Sequence, residues 1–284
     1  MSFQLKPFLW FVLGLAFVWS CAGNSASNKK GEKYNGEKIR YADKSFDNQN
    51  VIGLLDQKLN HGDIELEFEN CTFNGSTSFL SLRGAYGAFP VSCTFINCIF
   101  EGDLNGNMVQ FSGSLNFTKC RFKKNLSFQN STFTGPAAFR DCTFDQEAKY
   151  QNAIFLREAT WMGSHFYGTT YFQSSRFFEK AQFMNVVFHA NTDFTICRFS
   201  EGAIFDFSRS EGNLDFSESR IEGKTSFRKA IFVKRIVLKN IRSFAPIKFL
   251  ESNFSDSLVT TGAKFFAERL EVEKPVGSLL PTGF

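Results

Sequence analysis

"DCTFDQEAKYQNAIFLREATWMGSHFYGTTYFQSSRFFEKAQFMNVVFHANTDFTICRF" (residues 141–199) carries a large aromatic at 144, 150, 155, 161, 166, 172, 177, 183, 188, 194 and 199. The gaps alternate between six and five residues without a break. Two residues before most of these aromatics stands a small one, as at Cys142, Ala148, Ala153, Ala159, Ser164, Thr170, Ser175, Ala181, Thr192 and Cys197. Residues two apart on a strand point to one side. Each unit is therefore a short extended segment with one small and one large side chain facing inward, followed by a corner. Gaps of this size would wind the aromatics around a helix instead of aligning them, so helix is excluded.

The beat extends upstream through Phe95, Phe100, Phe111, Phe117, Phe122, Phe128, Phe133 and Phe139. Downstream it runs through Phe205, Phe216, Ile221, Phe227, Phe232, Leu238, Phe249, Phe254 and Phe265. It closes with a period of 22, four units to a coil. One column then reads Phe73, Phe95, Phe117, Phe139, Trp161, Phe183, Phe205, Phe227, Phe249, and a second reads Phe100, Phe122, Phe144, Phe166, Phe188, Ser210, Phe232, Phe254. A fixed period of this kind means a solenoid in which each coil buries the face of its neighbour. From Glu65 to Phe266 there is room for about nine coils, a rod of roughly 40 Å at a strand spacing of about 4.8 Å.

Units such as "NSTF", "DCTF", "NAIF" and "ANTDF" resemble the pentapeptide-repeat family, whose units centre a Leu or Phe two residues after a small one. The resemblance covers about 200 of the 284 residues. It implies an all-β fold, a right-handed quadrilateral β-helix. This chain departs from the strict five-residue unit by one extra residue in every second unit, which is expected at corners.

The ends have a different texture. Phe8–Trp19 is uncharged, too short for a membrane span and suited to the core of a signal peptide over residues 1–20. It leads into "VWSC", Val18 to Cys21, which resembles the lipobox of bacterial lipoproteins. That resemblance implies diacylation (palmitate) of Cys21 and, with Ala22 rather than Asp next, an outer-membrane destination. Ordinary cleavage without a lipid is the alternative. Residues 21–44 read as a polar tether without apolar periodicity. Residues 45–62, "SFDNQNVIGLLDQKLNHG", read as an N-terminal capping helix, with Asp47 or Asn48 as N-cap and Gly62 at its end. The β-helix is expected over 63–266, and 267–284 as a C-terminal cap or tail.

Composition narrows the function classes. The core is built mainly from 38 Phe, and the chain has only 3 His and a net charge of +4. Such a mild basic balance predicts no dedicated nucleic-acid partner. The cysteines fall in small inward positions, 22 apart at Cys71 and Cys93 and again at Cys98, Cys120 and Cys142, which reads as packing rather than as disulfides or a metal stack. His165 and His189 read as outward positions in different columns, and His61 as the end of the capping helix. No catalytic triad, paired carboxylates, phosphate loop or cofactor motif recurs at the spacing that would bring groups together.

Two charge features rise above this background. Arg176, Arg198, Arg220 and Arg242 are spaced by 22 and should form an outward ladder. Separately, Lys224 to Lys248 holds Lys224, Arg228, Lys229, Lys234, Arg235, Lys239, Arg242 and Lys248 and no acid. One reading is a solvated face that blocks edge pairing; the other is anion binding to phospholipid headgroups or an acidic glycan. The expected function is a non-enzymatic, lipid-anchored scaffold or interaction protein of a bacterial cell envelope. It would meet the membrane through its anchor, and either an envelope protein or an anionic glycan or lipid through its surface. A DNA-mimicking, gyrase-protecting role would need an acidic surface, and a polysaccharide-cleaving role would need a groove of clustered carboxylates.

Overall fold

The computed structural model describes residues 37–47, 64–79, 88–89, 91–266 and 270–272. Four parallel sheets of ten, nine, ten and nine strands run the length of this region, and no helix occurs among the described residues. The first face starts at Glu37–Ala42 (β1) and ends at Ile247–Lys248; the second starts at Ser45–Phe46 (β2) and ends at Asn253–Phe254. The third runs from Thr77–Ser78 to Leu258–Val259, and the fourth from Ala88–Phe89 to Lys264–Phe265. Most strands are two residues long, one inward and one outward, because the corner arrives before a third can be added. The fold is a parallel β-solenoid that matches a pentapeptide-repeat β-helix.

The interior is made of aromatic ladders. On the first face Trp161, Phe183, Phe205, Phe227 and Phe249 stack at 4.6–4.9 Å with planes within 10°. The third-face ladder meets them edge to face, as at Phe183–Phe194, 5.2 Å and 82°. Offset stacking along the rod and T-shaped contact across it are the two arrangements that the ring quadrupole favours. Each buried ring adds roughly 1.5–3 kcal/mol of gross stabilisation. Two polar aromatics are fully buried, Trp161 in the first-face ladder and Tyr150 in the third-face ladder, and Trp161 Nε1 donates to the Tyr150 hydroxyl at 3.1 Å.

The alternating gaps have a structural cause. The corners between the first and second faces, and between the third and fourth, are tight turns with one residue in the left-handed region. Asn70, Asn97, Asn130, Asn152, Asn185 and Asn240 hold φ of 52–57° there. Asn tolerates this region best among residues with a Cβ. The other two corners are one residue longer and use no such residue in the regular coils, with Gly202 an exception. The small residue after a tight corner has a second task. Ser131, Ser164, Ser175 and Ser219 donate from Oγ to a carbonyl 25 residues earlier, at 2.5–2.7 Å. Cys120, Cys142 and Cys197 do the same from Sγ at 3.0–3.6 Å.

Several sequence expectations shift. Residues 37–44 are not tether: β1 pairs in parallel with Ile64–Glu69 (β3), Ile39 opposite Leu66 and Tyr41 opposite Phe68. Residues 45–46 are β2, not helix, and pair with Thr72–Phe73 (β4). The beat therefore begins with Tyr41 and Phe46, and residues 48–63, where the rest of the expected capping helix falls, lie outside the described residues. The first two coil-to-coil steps, from Tyr41 to Phe68 and from Phe68 to Phe95, are each longer than the regular step by one repeat unit. Phe73 therefore stacks on Phe100 in the second column, not on Phe95 in the first. Its regular spacing from Phe95 is a coincidence of one long coil less one five-residue unit. For the same reason Cys71 sits in line with Cys98, Cys120 and Cys142, while Cys93 pairs with Leu66 and Leu115 on the first face. At the far end Glu271 bridges in parallel to Lys248, laying this part of the tail along the first face.

Candidate functional site

The six described cysteines are free and buried. Burial raises the thiols of Cys93, Cys120 and Cys197 far above their ordinary range; at Cys98 a hydrogen bond with Cys120 leads and burial follows. Thiols held this way are poor nucleophiles. The chemistry of the rod therefore lies on its outside.

The fourth face is the most distinctive. In register, its outward column reads Gln110, Thr132, Ile154, Arg176, Arg198, Arg220, Arg242 and Lys264. The arginine ladder expected from the spacing is thus a real stack of cations on adjacent strands. Like charges opposite each other on a sheet repel, and one carboxylate relieves the centre. Glu222 accepts from Arg198 Nε and Nη2 at 3.0 and 3.1 Å and from Arg220 Nε at 2.6 Å. Desolvation pushes the Glu222 carboxyl up, but the hydrogen bonds from Arg220 and Arg198 outweigh it, and the net shift is downward. Arg176 and Arg242 make no ion pair among the described residues.

Beside this ladder lies an apolar fringe that the sequence reading missed. Leu156, Phe178, Ile196, Phe244 and Phe266 occupy this face or its edges, and Met108 holds the same corner position as Ile196 several coils earlier, which makes six of the eight exposed large hydrophobics among the described residues. Phe178 is 44% exposed and Phe266 60%. Phe244 stacks on Phe266 at 4.8 Å, and the Arg220 guanidinium lies 4.2 Å from the Phe244 ring centroid. The signal was present as doubled aromatics, "RFF" at 176–178 and "KFF" at 264–266, in a repeat that needs one inward aromatic per unit. Ile196 adds a backbone feature, for it holds φ +58° at a tight corner where a β-branched residue is disfavoured.

The basic run from Lys224 to Lys248 does not form a patch. It spans little more than one coil, so its members are distributed around the perimeter. Arg228, Lys229, Arg235 and Lys248 pair with Asp206, Glu251, Asp256 and Glu271 of adjacent coils or the tail. Lys224, Lys234 and Lys239 stand without an ion pair among the described residues, each at a different corner. Arg242 alone belongs to the ladder. Cys21, the expected lipidation site, lies outside the described residues.

A second cluster joins residues that the sequence reading kept apart. His165 Nδ1 and His189 Nε2 are 3.4 Å apart, Tyr167 stacks on His189 at 4.2 Å, and His189 Nδ1 reaches Glu211 at 2.9 Å. His165 and His189 meet off the strict period, because side chains near a corner touch diagonally across coils. The Arg209 hydrogen bond first, and the His189 contact second, hold the Glu211 carboxyl below its usual range. An open polar groove follows, lined by His189, Asn191, Glu211, Asn213, Lys234 and Arg235. The Oδ1 atoms of the two asparagines already accept backbone N–H groups of the next coil.

A model of pentapeptide repeats (9 copies) matches residues 95–143. No curated protein and no solved structure matches the chain.

Proposed function

We propose that this pentapeptide-repeat β-helix is a non-enzymatic, lipid-anchored scaffold of a bacterial cell envelope, offering one lateral face of a rigid rod to a partner. The observation that carries the reading is the fourth face. Its outward column is cationic over five strands, its fringe is apolar, and among the described residues only Glu222 forms an ion pair with the ladder. The inward column beneath it is aromatic or aliphatic apart from Ser243, whose hydroxyl donates to the Ala245 carbonyl. The lipobox-like "VWSC" and the polar stretch that follows it supply the anchor and spacing of the proposal. Fold alone does not assign a role, and the reading rests on this face together with that motif.

The test is fractionation after a high-salt wash, with protease shaving of intact cells, comparing wild type with Cys21→Ala; the wash removes electrostatic association of the rod and leaves a lipid anchor in place. A membrane-bound, protease-sensitive wild type and a soluble variant support the anchor at the cell surface. A bound but protected wild type supports it on the periplasmic side. Both forms in the cytoplasm would overturn the proposal.

A further inference from the structure

We infer that the fourth face seats on an anionic bilayer, so that the rod lies along the membrane instead of standing off it. This deepens the envelope reading and takes from it only the presence of a bilayer. Its own support is the pairing of two features on one face. The guanidinium groups of Arg176 and Arg242 have no carboxylate partner among the described residues, and those of Arg198 and Arg220 share Glu222. Phosphate oxygens match the guanidinium fork. Headgroups move laterally, so they can align with a ladder of any spacing.

The apolar fringe chooses the bilayer over a soluble polyanion. Leu156 and Ile196 find no partner on a hydrated anionic chain, whereas they and Phe178, Phe244 and Phe266 all gain by entering the boundary between headgroups and acyl chains. Cations flanked by exposed aromatics and aliphatics are the composition of an interfacial surface. The chain between Cys21 and Gly36 also allows the posture. Fifteen residues reach about 50 Å when extended. The ladder begins five strand spacings from β1 and ends nine away, about 25–45 Å at about 4.8 Å each. Both distances fall within that extended length.

The buried cysteines make the test practical, because the described thiols are closed to labelling in the folded protein. Nitroxide labels are placed at Ser200→Cys on the fourth face and, separately, at Val187→Cys, an outward position of the second face on the opposite side of the coil, each in the full chain on vesicles. The vesicles are either neutral phosphatidylcholine or the same lipid with phosphatidylglycerol. The expected result in anionic vesicles is a rise in oxygen accessibility relative to a soluble nickel chelate at Ser200, with no rise at Val187. Replacing Arg176, Arg198, Arg220 and Arg242 together by Gln should abolish the rise while leaving the circular dichroism unchanged. Equal accessibility at both sites in all vesicles would overturn the inference. So would a Ser200 label that responds to polygalacturonate in solution but not to phosphatidylglycerol. Recovery of the chain on neutral vesicles reports separately on the anchor. Loss of that recovery, with the Ser200 response intact in anionic vesicles, would remove the anchor and keep the face.

Discussion

The third and fourth faces run side by side through the same coils, and each stacks like charges on its outward column. On the third face Asp193 lies opposite Asp215; on the fourth, Arg198 lies opposite Arg176 and Arg220. The two stacks are held in different ways. Asp193 Oδ1 accepts the backbone N–H of Thr195 at 2.7 Å, and Asp215 Oδ1 accepts both the N–H and the hydroxyl of Ser217 at 2.8 and 2.6 Å. Each aspartate thus closes the turn that follows it, and its charge is consumed locally. The arginines reach outward and close no turn, and of the four only Arg198 and Arg220 share a carboxylate, Glu222. A periodic charge on a solenoid is therefore not a site by virtue of its period; what distinguishes the fourth face is that its arginines close no turn and that Arg176 and Arg242 make no ion pair among the described residues.

This contrast can be broken most severely on the third face. Asp215→Ala removes the acceptor for two hydrogen bonds at a turn and should lower stability by about 1–2 kcal/mol. Arg176→Gln, with no ion pair to lose, should stay within about 0.5 kcal/mol of wild type. Chemical denaturation of the two variants side by side measures the difference, and an equal loss in both would contradict this division of labour.

The corner between these faces sharpens the comparison. Asn130, Asn152 and Asn240 hold the left-handed position at that corner, but Ile196 holds it in the middle of the arginine ladder. Ile196→Asn should stabilise the protein by about 1 kcal/mol, the cost of forcing a β-branched residue into this region. If Ile196 is kept for the membrane fringe, the same change should also weaken the response of a Ser200 label in anionic vesicles. A melting temperature that falls would show that the isoleucine packs better than its exposure implies.

The smallest effect is the pH dependence of the ladder. Glu222 has its carboxyl shifted downward in the fold, so its contribution is present above the unfolded value of about 4.3 and is lost as pH falls through the lower, folded value. Since Arg198 and Arg220 are about half exposed, the amount is about 0.5 kcal/mol. Denaturation midpoints at pH 6 and pH 3 should converge slightly in Glu222→Gln relative to wild type. An unchanged pH dependence would mean that the carboxylate does not neutralise the stack.

Much of this is legible in the residues themselves. Phe every five or six positions with a small residue two before it leaves few folds open, and the regular spacing alone puts Arg176 to Arg242 in one column. The first two coils escape because each step there is longer than the regular one, which hides β1 and moves Phe73 and Cys71 into other columns. The His165–His189 contact escapes because corner neighbours meet diagonally, off the strict period. Phe178, Phe244 and Phe266 escape for a different reason. In a chain so rich in phenylalanine, a side chain facing water and one facing the core look alike until the register is fixed. Likewise the basic run from Lys224 looks like a patch only while adjacency in sequence stands in for adjacency on a rod, which completes a full turn within that same stretch of chain.

Along the regular coils, hydrogen bonds between strands run from one coil to the next, residue for residue, from Leu115 onward. Among the described residues no long-range closure joins the two ends in the way that a barrel's first and last strands meet. The molecule is accordingly a ruler graduated in single coils. Removing or duplicating one whole coil, cut at a corner, would change its length by one graduation of about 4.8 Å and leave every other inward ring and outward arginine facing as before. Length is thus a property that this architecture can vary in discrete steps without redesigning its interior.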